Sequence, residues 1–144
     1  MSKPEFVSLH NHSHHSMLDG FSKVEEYLET TKKLGQKGLG MTEHGNVFSV
    51  YELINYSKKY DITPIPGIEA YVAPLNPEGA KAKHPIFYGA NGQKAAEFDV
   101  SNNGAYLHQT IWAINPTGLK NLFKLSTMSN NPEHFYQAPR IDFN

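Results

Sequence analysis

Cysteine is absent from the 144 residues of this chain. Its absence excludes a disulfide framework and every thiolate metal site, and it fits a reducing compartment. The chain also has no apolar run near the ~18 residues of a membrane-spanning helix. The first residues, Met1 to Phe6, lack the apolar core of a secretion signal. We therefore expect a cytoplasmic protein with no membrane partner.

Positive charge is also scarce. The chain has twelve lysines and a single arginine, Arg140, against 14 acidic residues, so that its formal net charge is −1. A broadly basic surface that neutralises many phosphates is thereby excluded, so a function on nucleic acid would need positive charge from bound metal or from a partner domain. With 39% hydrophobic and 19% charged residues, the composition is that of one globular domain.

The hydrophobic spacing predicts strands that alternate with helices. Four apolar runs have the length and composition of strands, at residues 6–9, 39–42, 63–72 and 106–114. Helical spacing appears over residues 24–34 and 47–60, and again after residue 117. Ser22 and Glu25 have the spacing of a capping box, and Thr117 can cap the third helix. This order predicts an α/β fold with a parallel sheet or barrel.

Two segments interrupt the alternation. Residues 74–104 contain three prolines, four glycines and scattered lysines and asparagines, which predicts a long insertion after the third strand. Residues 130–144 predict an irregular tail.

Histidine is abundant, with eight in the chain and four of them between positions 10 and 15. His10 and His12 close the first predicted strand, where the i, i+2 spacing places both side chains on one face. The other predicted strands end in or carry His44, Glu69 and His108. Because the carboxyl ends of parallel strands open on one face of a barrel, these side chains are expected to converge as potential metal ligands.

Simpler interpretations exist for some of these residues. Asp19 precedes Gly20 and is a turn residue as readily as a ligand. His14 and His15 lie just beyond the His-x-His pair, and we favour solvent-exposed or substrate-side histidines there over ligands. Arg140 can bind phosphate or pair with Asp142.

The sequence around these residues resembles the PHP (polymerase and histidinol phosphatase) domain, in the form that opens bacterial DNA polymerase III α subunits. The resemblance covers nearly the whole chain apart from residues 74–104. The motifs that carry it are Leu9-His-Asn-His-Ser-His-His-Ser-Met-Leu-Asp-Gly20, Thr42-Glu-His-Gly-Asn46, Pro64-Ile-Pro-Gly-Ile-Glu-Ala-Tyr71, Tyr106-Leu-His108, Gly118–Ser126 and Ala138-Pro-Arg-Ile-Asp142.

The resemblance implies a partial, distorted parallel (β/α) barrel of the PHP type, which is TIM-barrel-like. It implies a cluster of two or three divalent ions (zinc, manganese or iron) and hydrolysis of phosphoesters, of the 3′–5′ proofreading exonuclease type. The implied catalytic residues are Glu69, which is suited to bridging two ions, His12 and His44. The implied metal ligands are His10, His12, Asp19, His44, Glu69 and His108.

Two departures from the family pattern stand out. Glu43 occupies a position where the family usually has aspartate, and we expect it, like Arg140, to lie behind the ligands or to contact phosphate. A full domain of this family is also longer and supplies later ligands. Residues 1–144 are therefore expected to be the N-terminal portion of the domain without its C-terminal half, and to have weak activity alone.

Three functions remain open. The chain can be the phosphoesterase part of a replicative DNA polymerase, with the primer 3′ end and other replisome subunits as partners. It can instead be a metal-stabilised structural module without catalysis. The third possibility is a stand-alone small-molecule phosphatase.

Overall fold

A computed structural model of the chain describes residues 6–72, 107–136 and 138–141. The fold of this part is mixed α/β, as the alternation predicted. Its helices are α1 (Val24–Lys33), α2 (Val50–Tyr60) and α3 (Pro116–Ser129), and its strands are β1 (Gly38–His44), β2 (Thr63–Val72), β3 (Leu107–Trp112), β4 (Phe135–Tyr136) and β5 (Ala138–Ile141). Among these described residues, no helix combines the length and apolarity needed to cross a bilayer.

The strand β2 is the centre of the sheet. β1 runs parallel to it in a register that sets His44 opposite Glu69. β3 runs antiparallel to it and sets His108 opposite Tyr71. β5 pairs in parallel with the last two residues of β2, beginning at Tyr71, beyond the point where β1 ends. The carboxyl half of β2 is therefore where three other strands meet.

The prediction of an entirely parallel sheet is wrong at β3, which is antiparallel to β2. Neighbouring parallel strands need a long crossover connection, usually a helix, whereas an antiparallel return does not. The prolines and glycines of residues 74–104 disfavour such a crossover helix. The sequence between β2 and β3 therefore favours antiparallel pairing of the two strands. The predicted insertion at residues 74–104 lies outside the described residues.

The first predicted strand, residues 6–9, is reduced to an isolated parallel bridge between Ser8 and Leu39. The backbone still follows β1, because the Gly40 N–H donates to the Ser8 carbonyl at 2.8 Å. A side chain at Gly40 would prevent this approach, since its Cβ would lie 2.6 Å from the Leu9 carbonyl oxygen. The incoming segment is therefore held against β1 without forming a full ladder.

The tail also differs from its prediction, because residues 130–144 include β4 and β5, which pair with each other antiparallel. These strands are only two and four residues long. Local spacing gives little signal for such short strands, and the tertiary contact with β2 decides their conformation.

Both predicted helix caps are displaced. The N-cap of α1 is Lys23, whose N–H donates to the Glu26 carboxylate at 2.9 Å. Glu25 instead accepts from the Lys59 ammonium at 2.7 Å. The N-cap of α3 is Asn115, whose Oδ1 accepts from the Gly118 N–H at 2.8 Å, with Pro116 in the first turn. Proline is favoured at that position because its missing N–H would be unpaired there anyway.

Two hydrophobic clusters support the sheet. The first packs α1 and α2 against β1, with the side chains of Val24, Leu28, Leu39, Met41, Leu53, Tyr60 and Ile62. The second packs α3 against β2 and β5, with Ile68, Ala70, Val72, Leu122 and Ile141. Together they anchor β1 and β2, the strands that border the polar site described below.

Candidate metal centre

The loop after the Ser8 bridge brings His10 and His12 to the end of β1. The Thr42 N–H donates to the Asn11 carbonyl at 3.0 Å, and the Tyr27 hydroxyl donates to the His12 carbonyl at 3.0 Å. These bonds fix the backbone at Asn11, between the two histidines, and at His12 itself. Their ring centroids lie 4.9 Å apart in an edge-to-face arrangement.

Glu69 lies at the centre of the site. Its side chain is 2% exposed, yet four imidazoles surround its carboxylate. Oε2 faces His10 and His12, with His12 Nε2 at 3.3 Å. Oε1 faces His44 and His108, with His44 Nδ1 at 3.1 Å. The two carboxylate oxygens therefore face two separate pairs of imidazole nitrogens.

Asp19 approaches the site from the opposite side of His44. Its Oδ2 lies 3.0 Å from His44 Nε2, whereas the other ring nitrogen of His44 faces Glu69. Leu18, just before it, has a φ of 69°, a left-handed conformation that is uncommon outside glycine and sharpens the turn.

All six predicted ligands thus lie in one connected group. Their donor atoms form three overlapping triads, and within each triad the atoms lie within 4.8 Å of one another. The triads are His10–His12–Glu69, His12–Asp19–His44 and His44–Glu69–His108. Whether these residues bind metal stays a prediction.

Several buried atoms at the centre have the character of metal ligands. Within the described part of the chain, Glu69 Oε1, His12 Nδ1 and His44 Nδ1 are buried and make no well-aligned hydrogen bond, although Glu69 Oε1 and His44 Nδ1 lie 3.1 Å apart. Buried polar atoms are normally paired, because an unpaired one loses its solvation without compensation. Imidazole nitrogens and carboxylate oxygens suit zinc, manganese or iron, so the donor set fits such ions.

The protonation equilibria of the central groups also suit ligation. Burial lowers the pKa of His12, and the neighbouring His44 lowers it further. Burial acts to raise the pKa of Glu69, but the hydrogen bond from His10 and the nearby imidazoles outweigh it, so that this pKa is lowered overall. A neutral imidazole and an ionised carboxylate are the forms that bind metal.

Glu43 lies behind the ligands and organises the loop that carries them. It is fully buried, and its carboxylate accepts the Ser13 N–H at 3.0 and 3.1 Å as well as the hydroxyls of Ser13 and Ser16. The Ser16 oxygen in turn accepts the His44 N–H at 3.1 Å. A chain of hydrogen bonds thus joins Glu43 to the backbone of a candidate ligand.

Arg140, the other residue expected behind the ligands, is fully buried on β5. It is paired in register with Tyr71 of β2. Tyr71 borders the site, since its ring lies 5.0 Å from that of His108 and 6.3 Å from that of His44, centroid to centroid. Tyr71 therefore lies between Arg140 and the candidate ligand His108, since it is paired in register with both.

Sequence reasoning did not identify the residues that hold the loop. Ser13, Ser16 and Tyr27 each bond to the loop or to Glu43, but serine and tyrosine carry no distinctive spacing signal. Glu52 was missed as well. It lies in the first turn of α2, and its Oε1 is 3.4 Å from His15 Nε2.

Comparison with known proteins identifies the relatives of this chain. The family model for the PHP domain matches residues 8–144. The chain is 43% identical over 137 residues to the DNA polymerase III subunit alpha of Mycobacterium tuberculosis, covering 95% of this chain and 11% of that protein. It is 37% identical over 143 residues to the same subunit of Aquifex aeolicus, covering 99% and 11%. The chain thus spans about a ninth of the length of these relatives, and it belongs to the PHP domain family.

Proposed function

We propose that the chain is the metal-dependent phosphoesterase part of a DNA polymerase III α subunit. It would trim the primer 3′ end during DNA replication in the cytoplasm, as a 3′–5′ exonuclease. The observation that carries the proposal is the buried Glu69 carboxylate, whose two oxygens each face their own pair of imidazoles. The resemblance to polymerase α subunits supports DNA as the substrate and replisome subunits as partners.

The residues that would hold the metal are the six predicted ligands, arranged in the PHP type of partial (β/α) barrel. Two or three ions of zinc, manganese or iron, when bound, would bind phosphate oxygens and lower the pKa of bound water towards neutrality. Glu69 would contribute both carboxylate oxygens to holding such ions, because these oxygens face separate pairs of nitrogens.

The exposure of the ligands defines where a substrate would approach. The side chains of His10, Asp19 and His108 are each about half exposed, at 53%, 59% and 46%, whereas Glu69 is closed to solvent. A phosphodiester would therefore enter over these three side chains. Glu69 and His12 would remain the fixed inner wall of the site.

Metal content provides the first test. His12→Ala is expected to lower the amount of metal bound per chain in elemental analysis, because His12 belongs to two of the three triads. His134→Ala is the matched control, since His134 belongs to none of the donor groups of the described residues. Equal metal content in the His12 variant and the wild type would contradict the ligand set.

Substrate choice provides the second test. The chain is incubated with manganese or zinc and either a 3′-labelled primer or a chromogenic phosphate ester. Trimming of the primer, abolished by Glu69→Gln but not by Glu133→Gln, supports the proposal. Metal uptake without turnover of either substrate indicates a structural module, and turnover of the small ester alone indicates a small-molecule phosphatase.

A further inference from the structure

A second group of ligand-type side chains lies outside the Glu69 centre. It consists of His14 and His15 from the loop and Glu52 from α2, and its donor atoms lie within 4.8 Å of one another. The His15 Nε2 atom is 3.4 Å from Glu52 Oε1. The ring centroids of His14 and His15 are 4.2 Å apart with their planes tilted by 36°. Two imidazoles and one carboxylate therefore converge from two separate elements.

The backbone holds this group in place. The His14 N–H donates to the Ser22 carbonyl at 3.0 Å, and the His15 N–H donates to the Ser13 hydroxyl oxygen at 3.3 Å. Glu52 is held by the first turn of α2. The convergence thus arises from the folded loop and a helix, not from two adjacent side chains alone.

The contact between His15 and Glu52 leaves one atom unsatisfied. His15 Nε2 is buried and makes no hydrogen bond to any described residue. Its nearest carboxylate oxygen lies at 3.4 Å, which is long for a hydrogen bond to an ionised group. A buried ring nitrogen normally has a partner, and a metal ion between His15 and Glu52 would supply one.

We propose that His14, His15 and Glu52 bind a further divalent transition-metal ion, separate from the ions of the Glu69 centre. Ligand atoms at about 2.1 Å from a tetrahedral zinc ion lie about 3.4 Å apart. The three donor atoms lie within 4.8 Å of one another, so they reach this spacing when their separations shorten by about 1.4 Å or less. Three protein ligands leave a coordination position open for water or for a phosphate oxygen.

The ion would connect the loop to α2 beside the main centre. The Asn46 amide already links this loop to the end of β1, because it donates to the His15 carbonyl at 3.5 Å and to the His44 carbonyl at 3.0 Å. Binding at this further site would therefore steady the loop that carries His12. The site does not depend on the proposed phosphoesterase activity, since none of its three residues belongs to the triads around Glu69.

Metal stoichiometry tests the proposal. The purified protein is equilibrated with cobalt(II) or zinc, dialysed, and analysed for metal per chain, with the visible spectrum of cobalt as a second readout. His15→Asn and Glu52→Gln are each expected to lose one ion per chain relative to the wild type. The double variant should lose no more than either single variant, because both residues would hold the same ion.

Matched controls separate this site from the main centre. His134→Asn and Glu133→Gln change residues outside all donor groups of the described residues and should retain full stoichiometry. Circular dichroism of every variant verifies folding. Unchanged metal content and cobalt spectrum in folded His15→Asn and Glu52→Gln would overturn the proposal. A loss of more than one ion would also overturn it, by showing that these residues act through the Glu69 centre.

Discussion

Replacing Glu43 tests whether the loop is organised from behind the ligands. In the wild type, its fully buried carboxylate accepts three donor groups, namely the Ser13 N–H, the Ser13 hydroxyl and the Ser16 hydroxyl. Hydrogen bonds to charged groups contribute about 1.5–3 kcal/mol each. Glu43→Ala removes all three and leaves the Ser13 N–H buried without its partner.

The loss is partly offset, because burying a carboxylate costs several kcal/mol that the alanine variant no longer bears. We therefore expect Glu43→Ala to lower the free energy of unfolding by about 2–4 kcal/mol. Glu43→Gln keeps one acceptor oxygen and should cost about half as much. Because Ser16 also accepts from the His44 N–H, both variants should bind metal more weakly.

Denaturant titration of the metal-free protein gives the stability change, and titration with zinc against a chromophoric chelator gives the affinity. Glu29→Ala is the matched control, since Glu29 is exposed and, among the described residues, accepts a hydrogen bond only from the Tyr60 hydroxyl, at 3.2 Å. Its effect should stay within about 0.5 kcal/mol. If Glu43→Ala unfolded at the same denaturant concentration as this control and bound zinc as tightly as the wild type, the reasoning would be refuted.

Three further predictions concern the scaffold. Gly40→Ala should lower the free energy of unfolding by about 1–3 kcal/mol, measured by denaturant titration, because its Cβ would meet backbone atoms 2.6–2.7 Å away. Asn115→Ala should cost about 1 kcal/mol by the same measurement, as the loss of a helix cap, whereas Thr117→Ala should cost much less. Lys59→Met should raise the pKa of Glu25 in an NMR titration, because the hydrogen bond from Lys59 is the main cause of its lowering. The pKa of Glu25 is lower in the folded protein than in the unfolded chain. The ion pair therefore stabilises the wild type at pH values above the unfolded-state pKa of this carboxyl group. The stabilisation is lost as the pH falls through the folded-state pKa.

The candidate ligands could be predicted from the sequence to a large extent. The spacing of His10 and His12 is a weak signal by itself and became informative with the residues at the other predicted strand ends, among them Glu69 as an acid after an apolar run. Thr63–Val72 was predicted as a strand region broken by Pro64, Pro66 and Gly67, whereas β2 runs over the same bounds without a break. The caps were less predictable, because Ser22 and Thr117 were expected to cap α1 and α3, whereas Lys23 and Asn115 do so, and packing decides where a helix begins.

The approach of His108 to Glu69 was expected for a reason that is wrong. Sequence reasoning placed His108 at the carboxyl end of a parallel strand. The structure instead has it at the start of an antiparallel strand, two register pairs from Glu69. The two arrangements bring the same residue to the same place, because the first residues of an antiparallel strand lie beside the last residues of its neighbour.

The sequence by itself determined the chemical types of the donors and the spacing of His10 and His12, since both follow from residue identity and the two-residue repeat of extended backbone. Only the tertiary structure decided which donors share a site. The register of β1 on β2 sets His44 opposite Glu69, and the fold of the loop brings His14 and His15 to Glu52. Register and loop conformation depend on contacts between residues far apart in the chain, and local sequence patterns do not encode such contacts.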